Sequence, residues 1–217
     1  GDELILGGSF TNVNGTPRNR LASIDIPTST LTAWNPDVNI NVLTLAYDAT
    51  NNELFIGGNF TTVGGLSRGR AASFSFPSKT LSSWDPMANA FVNKILVWNS
   101  KLILGGGFSS ILGASQSFLV RFDLPAKTKD SWAPPINGTV NSIATNDTSL
   151  FVGGGFSKVN GLFRNFIASF DETGNLESWN PGTSNAVVSL SVSAGRVYAG
   201  GTFTLAGGEA RTNIAAI

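Results

Sequence analysis

One pattern recurs five times along this chain and leaves few folds open to it. A glycine pair followed two residues later by an aromatic places Phe10, Phe60, Phe108, Phe156 and Phe203 at intervals of 50, 48, 48 and 47 residues. Five residues past each stands a glycine: Gly15, Gly65, Gly113, Gly161 and Gly208. Three further on comes Arg18, Arg68, Gln116, Arg164 or Arg211, and seven beyond that Asp25, Ser75, Asp123 or Asp171. The unit closes on Trp34, Trp84, Trp132 or Trp179, each followed by x-Pro. Self-similarity at such a period marks a repeat protein, in which each unit buries its apolar face against its neighbours.

Within a unit four short runs have strand character. In the fourth they are Val140–Thr145, Leu150–Gly154, Phe166–Phe170 and Leu176–Trp179, here called A, B, C and D. Each is bounded by turn formers, and no window carries helical periodicity. Four antiparallel strands every 48 residues or so predict the blades of an all-β propeller. The expected single domain covers residues 1–217, with five consecutive blades at about 1–36, 37–86, 87–134, 135–182 and 183–217. The first unit starts at strand B and the last stops within strand C. The first and last blades are therefore expected to be incomplete, and the partner expected to complete them is further propeller sequence of the same chain.

Composition narrows function by exclusion. Formal net charge is zero, which argues against electrostatic capture of nucleic acid or an anionic bilayer. No run approaches the length of a transmembrane helix, so no direct membrane insertion is expected. The chain has no cysteine and no histidine, so thiolate ligands, histidine ligands and histidine acid–base chemistry are unavailable. The 14 acidic residues fall mostly at turns and strand ends with no recurring pair, unlike the paired carboxylates of a glycosidase. Residues 48–53 offer hard oxygen ligands but miss the calcium-loop spacing. No cofactor or metal is expected. Gly153–Lys158 lacks phosphate-loop spacing and leads into a loop rather than a helix.

Chain direction makes one edge of each blade the candidate site. With A and C descending and B and D ascending, the B–C and D–A connectors share an edge. That edge gathers Arg18, Arg68, Arg164 and Arg211 with Trp34, Trp84, Trp132 and Trp179. The structural expectation for this set is guanidinium bonds to loop carbonyls or stacking on indoles between blades. The rival is a per-blade glycan site, in which an indole covers a sugar ring. The glycines are expected to allow a bulge, a close approach of the next blade, and a positive φ in the B–C loop. Asp25, Asp123 and Asp171 are read as turn caps. Where the third unit has Gln116, Arg121 on strand C, on the same face as Asp123, is the expected compensation. Trp98 is out of register and is read as a core or channel residue. Sequons stand at Asn14, Asn59, Asn137 and Asn146.

With these residues in view, the unit resembles the delta-60 repeat of bacterial secreted and surface proteins. Leu4–Pro36, Leu54–Pro86 and Leu150–Gly182 match its pattern, and Val197–Ile217 matches as far as it runs. It is also similar to kelch propellers and to the repeats of fungal cortical polarity markers. The resemblance implies a propeller in an extracellular or cell-surface setting and implies no reaction. The expected function is a non-enzymatic structural, adhesion or interaction module, with a lectin-like propeller as the alternative. The expected partner is a protein or glycan on a surface.

Overall fold

A computed structural model of the protein describes residues 2–217. Every regular element among them is a β-strand, and none is a helix. The chain forms two compact units. One runs to Ile95 and takes in Ser110–Ala114; the other holds Leu96–Ser109 and Ser115–Ile217.

In the first unit, the first repeat makes a three-stranded antiparallel sheet in the order Glu3–Gly7, Leu21–Asp25, Thr30–Leu31. The second makes a four-stranded sheet in the order Val42–Asp48, Glu53–Gly58, Ala71–Ser75, Thr80–Leu81. In the second unit, Lys101–Gly106, Leu119–Asp123 and Thr128–Lys129 pair in that order. The fourth repeat pairs Val140–Thr145, Ser149–Gly154 and Ile167–Asp171. The fifth pairs Val187–Ser193, Arg196–Gly201 and Ile214–Ala216. The meander A-B-C-D is thus the local topology wherever all four strands are present.

Strand D departs from expectation. It is two residues long in the first three repeats, and in the fourth it shrinks to an isolated bridge between Phe170 and Leu176. The segment to Trp179 is not a strand. Its side chains are used to wedge and its carbonyls to receive side-chain donors, so little ladder remains. The B–C connectors, by contrast, hold short hairpins of their own, such as Asn12–Val13 with Thr16–Pro17 and Lys158–Val159 with Leu162–Phe163. Their two-residue turns put both central residues at positive φ, as at Asn14 (50°) and Gly15 (78°) or Asn160 (52°) and Gly161 (78°). That is the geometry of a type I′ turn, whose twist matches the flanking strands.

The glycine pair ending strand B allows close packing. A Cβ on Gly57 would lie 2.8 Å from Val92 Cγ1 and 2.9 Å from Ile95 Cδ1. In the second unit, one on Gly153 would lie 2.5 Å from Val187 Cγ1. Gly7 and Gly105 receive Val42 with Leu45 and Val140 with Ile143 in the same manner. Only glycine lets the next strand A approach this closely. Strand A bulges opposite the pair, between Val42 and Thr44, Val140 and Ser142, and Val187 and Ser189. The core consists of such interlocked layers. One cluster joins Leu21, Val38, Val42, Leu54, Ile56, Phe60 and Phe74; a second joins Ile103, Ile143, Leu150, Val152, Phe156 and Phe170; a third centres on Phe203 and Val187.

Candidate functional site

The repeated arginine is a brace within its own repeat. Arg164 donates from one terminal nitrogen to Phe163 O (2.9 Å) and from the other to Glu177 O (2.8 Å). Arg18 reaches Pro17 O (2.9 Å) and Thr32 O (2.7 Å), and Arg68 reaches Ser67 O (2.7 Å) and Ser82 O (2.6 Å). The guanidinium therefore ties the B–C hairpin to the main chain two residues before the tryptophan. Arg164 is buried, while Arg18 and Arg68 are partly so. Arg211 bonds to Ala210 O and is exposed, in a repeat whose described strands stop at C. Among the described residues, cations lie over indoles at Lys79 on Trp34 (5.6 Å) and Arg121 on Trp132 (4.9 Å).

Each tryptophan is a half-buried wedge. Trp34 meets Phe74 edge-on at 5.2 Å, and Trp132 meets Phe170 at 5.2 Å, in both cases a phenylalanine on strand C of the following repeat. Trp84 and Trp179 meet Phe55 (5.5 Å) and Phe151 (5.2 Å) on strand B of their own repeats. Such T-shaped pairs add about 0.5–1.5 kcal/mol beyond area burial. The backbone entering the indole is fixed as well: Trp34 N and Trp84 N donate to Thr32 Oγ1 (3.3 Å) and Ser82 Oγ (3.0 Å).

The third repeat solves the same problem with different chemistry. Gln116 is buried and donates to Leu119 O at 2.7 Å. Arg121 pairs with Asp130 through Nε at 2.5 Å, rather than with Asp123. Asp130 occupies the position of Thr32 and Ser82 and receives Trp132 N at 2.7 Å. In the first two repeats the corresponding contact joins two hydroxyls, Ser23 with Thr32 and Ser73 with Ser82. An ion pair has replaced a hydroxyl pair at one point of the frame. Lys101 bridges Asp123 and Asp130 beside it. Around them Arg121, Trp132, Pro134, Pro135, Asn160 and Thr173 line an open recess of about 370 Å³.

The aspartates closing strand C do not act alike. Asp171 accepts Thr173 N, Asn175 N and the Thr173 hydroxyl, which lowers its carboxyl from 3.8 to about 2. Asp25 is held below its usual value by Thr28. Asp123 also pairs with Lys101. Asp48 caps its own turn through Thr50 N and Asn51. Trp98 is half-buried, packs on the second cluster and donates Nε1 to Asn146 O at 3.0 Å.

The arginine–tryptophan reading of the edge missed the outer face of the B–C hairpins. Leu66 and Leu162, in equivalent places just past the turn glycine, are each 56% exposed, and Phe163 is 69% exposed. Leu112 and Leu205 are also exposed on these connectors. A sequence signal existed: an Asn-Gly or Gly-Gly pair between apolar residues marks a tight hairpin with side chains thrust outward.

A family model described as a domain of unknown function (DUF5122) beta-propeller matches residues 2–22. No curated protein matches the chain. Among solved structures, the computationally designed Ika8 protein aligns with a TM-score of 0.59 at 11% identity, over 88% of this chain and 54% of that one. The chain thus spans about half the length of Ika8. The computationally designed Ika4 protein aligns with a TM-score of 0.54 at 11% identity, over 83% of this chain and 94% of that one. At this identity the likeness speaks of fold alone. The family match and the small antiparallel sheets together support a β-propeller repeat family.

Proposed function

We propose that the chain is a run of five propeller blades of the delta-60 type, serving as a non-enzymatic structural, adhesion or interaction module outside the cell. The observation that carries this reading is the exposure of Leu66, Leu162 and Phe163 at hairpin tips that their own repeats do not cover. Large apolar side chains held in water on short, stiff hairpins suit a protein contact surface. The polar signature of the repeat supports the same reading, because the terminal guanidinium nitrogens of Arg18, Arg68 and Arg164 are taken up by carbonyls of the frame. The extracellular setting rests on the sequence resemblance.

A panel of immobilised surface proteins and glycans tests it. The unmodified chain captures a protein, a Leu66→Ser/Leu162→Ser/Phe163→Ser variant with unchanged melting loses it, and Arg68→Ala retains it. The lectin-like alternative is favoured by one feature, the recess where Trp132 stands beside Arg121 and Asn160. Glycan binding abolished by Trp132→Ala and indifferent to the tip variant would establish the alternative instead.

A further inference from the structure

Of the three Asn-Gly pairs in the chain, two lie in the second unit, and the fold treats them oppositely. Asn137-Gly138 is clamped. Asn137 Oδ1 accepts Ser157 N (2.9 Å) and Lys158 N (2.8 Å), and its Nδ2 donates to Ser157 Oγ (3.0 Å). The main chain beyond it is walled in, since a Cβ on Gly138 would stand 2.7 Å from Gly155 O and 2.9 Å from Phe156 Cα. Asn160-Gly161 is open. It forms the tip of the hairpin that pairs Lys158 with Phe163 and Val159 with Leu162. Both residues are exposed, the Asn160 carboxamide has no hydrogen bond among the described residues, and nothing lies within 4 Å of a Cβ placed on Gly161. The bond that closes such a turn joins the residues flanking the central pair, which leaves Gly161 N–H out of it. One main-chain bond, from Asn160 N to Pro135 O (2.8 Å), ties the tip down, and it involves neither of the atoms that would react.

We propose that Asn160 is a site of self-modification, converted to aspartate and isoaspartate by the main-chain nitrogen of Gly161. That nitrogen gives its proton to water and attacks Asn160 Cγ. The N–Cγ bond forms, the Cγ–Nδ2 bond breaks, and the amide nitrogen leaves as ammonia with a proton taken from water. Water then opens the five-membered imide at either carbonyl, so the net change is one water consumed and one ammonia released, with no oxidation. Glycine is suited to the attack because no Cβ stands beside its nitrogen. The rotation that brings the two atoms together opens only a two-residue turn on strands of two residues, a local event rather than global unfolding. Conversion puts a carboxylate on the tip that presents Leu162 and Phe163, and on the rim of the recess that holds Arg121 and Trp132. In the isoaspartate form the main chain runs through Cγ and is one atom longer, which shifts the pairing of Val159 with Leu162. The proposal is independent of the adhesion reading.

The test ages the full chain in mildly alkaline buffer below its melting temperature, with a parallel sample in urea. Both are digested and mapped by mass spectrometry, with fragmentation that separates isoaspartate from aspartate. In the folded chain Asn160 converts roughly tenfold faster than Asn137 or more, since each bond of the Asn137 clamp lowers the reactive population by up to about that factor. Isoaspartate and aspartate both form at Asn160. In urea the two sites convert at similar rates, because glycine follows both. Equal rates in the folded chain overturn the proposal. So does an Asn160 that stays intact when folded while it converts in urea, or aspartate formed there without isoaspartate.

Discussion

Replacing Arg164 by alanine removes two charge-assisted hydrogen bonds from the interior of one repeat. Phe163 is exposed, so its carbonyl recovers a water partner; Glu177 O, on a partly buried strand remnant, recovers less. One bond to a charged donor lost without full replacement costs about 1.5–3 kcal/mol. For a chain of this length that is a fall in melting temperature of roughly 4–8 °C, taking about 2 kcal/mol as the loss. Arg18→Ala and Arg68→Ala break the same pair of bonds at more open sites and should cost about half as much. Arg211→Ala removes one bond from an exposed side chain and should stay within about 0.5 kcal/mol. Arg164→Lys should resemble Arg164→Ala, because an ammonium cannot span two carbonyls as the guanidinium fork does. Calorimetric melts of the five variants rank these costs. Equal losses at Arg211 and Arg164, or no loss at Arg164, would refute the bracing argument.

The glycine sockets predict a contrast: Gly153→Ala drives a Cβ to 2.5 Å from Val187 Cγ1 and should cost about 1–3 kcal/mol, while Gly200→Ala, with nothing nearer than 3.9 Å, should be close to neutral by the same melts. In the third repeat, Asp130→Ser alone leaves Arg121 a poorly solvated charge, and Arg121→Ser leaves Asp130 with only the longer Lys101 contact. The double variant recreates the hydroxyl pair of the first two repeats and should be more stable than either single one, as a double-mutant cycle would report. The Asp171 carboxyl is lowered from 3.8 to about 2 in the folded chain. Its contribution to stability is therefore present above pH 4 or so and lost as pH falls toward 2. Acid titration of stability should flatten in that window in Asp171→Asn.

Much of the frame was legible because it rests on residues that have few substitutes. Glycine at Gly57 and Gly153 is demanded by a neighbouring valine, and the left-handed turn at Gly15 or Gly161 by a two-residue hairpin. The strand boundaries of Val140–Thr145 follow from apolar runs between turn formers. Other features had no such mark. Arg20, Arg70, Phe118, Phe166 and Asn213 all hold φ near 66° in equivalent places, yet no one residue type is common to all five. There the chain tolerates a cost on the order of 1–2 kcal/mol because the bond from Gly8, Gly58, Gly106, Gly154 or Gly201 fixes the bend. The exchange of a hydroxyl pair for Arg121 and Asp130 was likewise hidden. It joins strand C to the residue just past strand D, whereas the sequence shows only that Arg121 shares a face of strand C with Asp123. Strand D was overread because Leu176 to Trp179 has strand composition, while its carbonyl at Glu177 serves the arginine.

An experimental structure of the chain at atomic resolution tests the central claim most directly, namely that the repeat is a propeller blade held by its arginine brace. Within each unit, Phe10 and Phe60 in the first and Phe108, Phe156 and Phe203 in the second, successive repeats are predicted to be related by rotation, with Arg18, Arg68 and Arg164 each bonded to a carbonyl of their own repeat. A structure in which the phenylalanines within a unit follow a translation, or in which those guanidinium groups project into solvent, would contradict it.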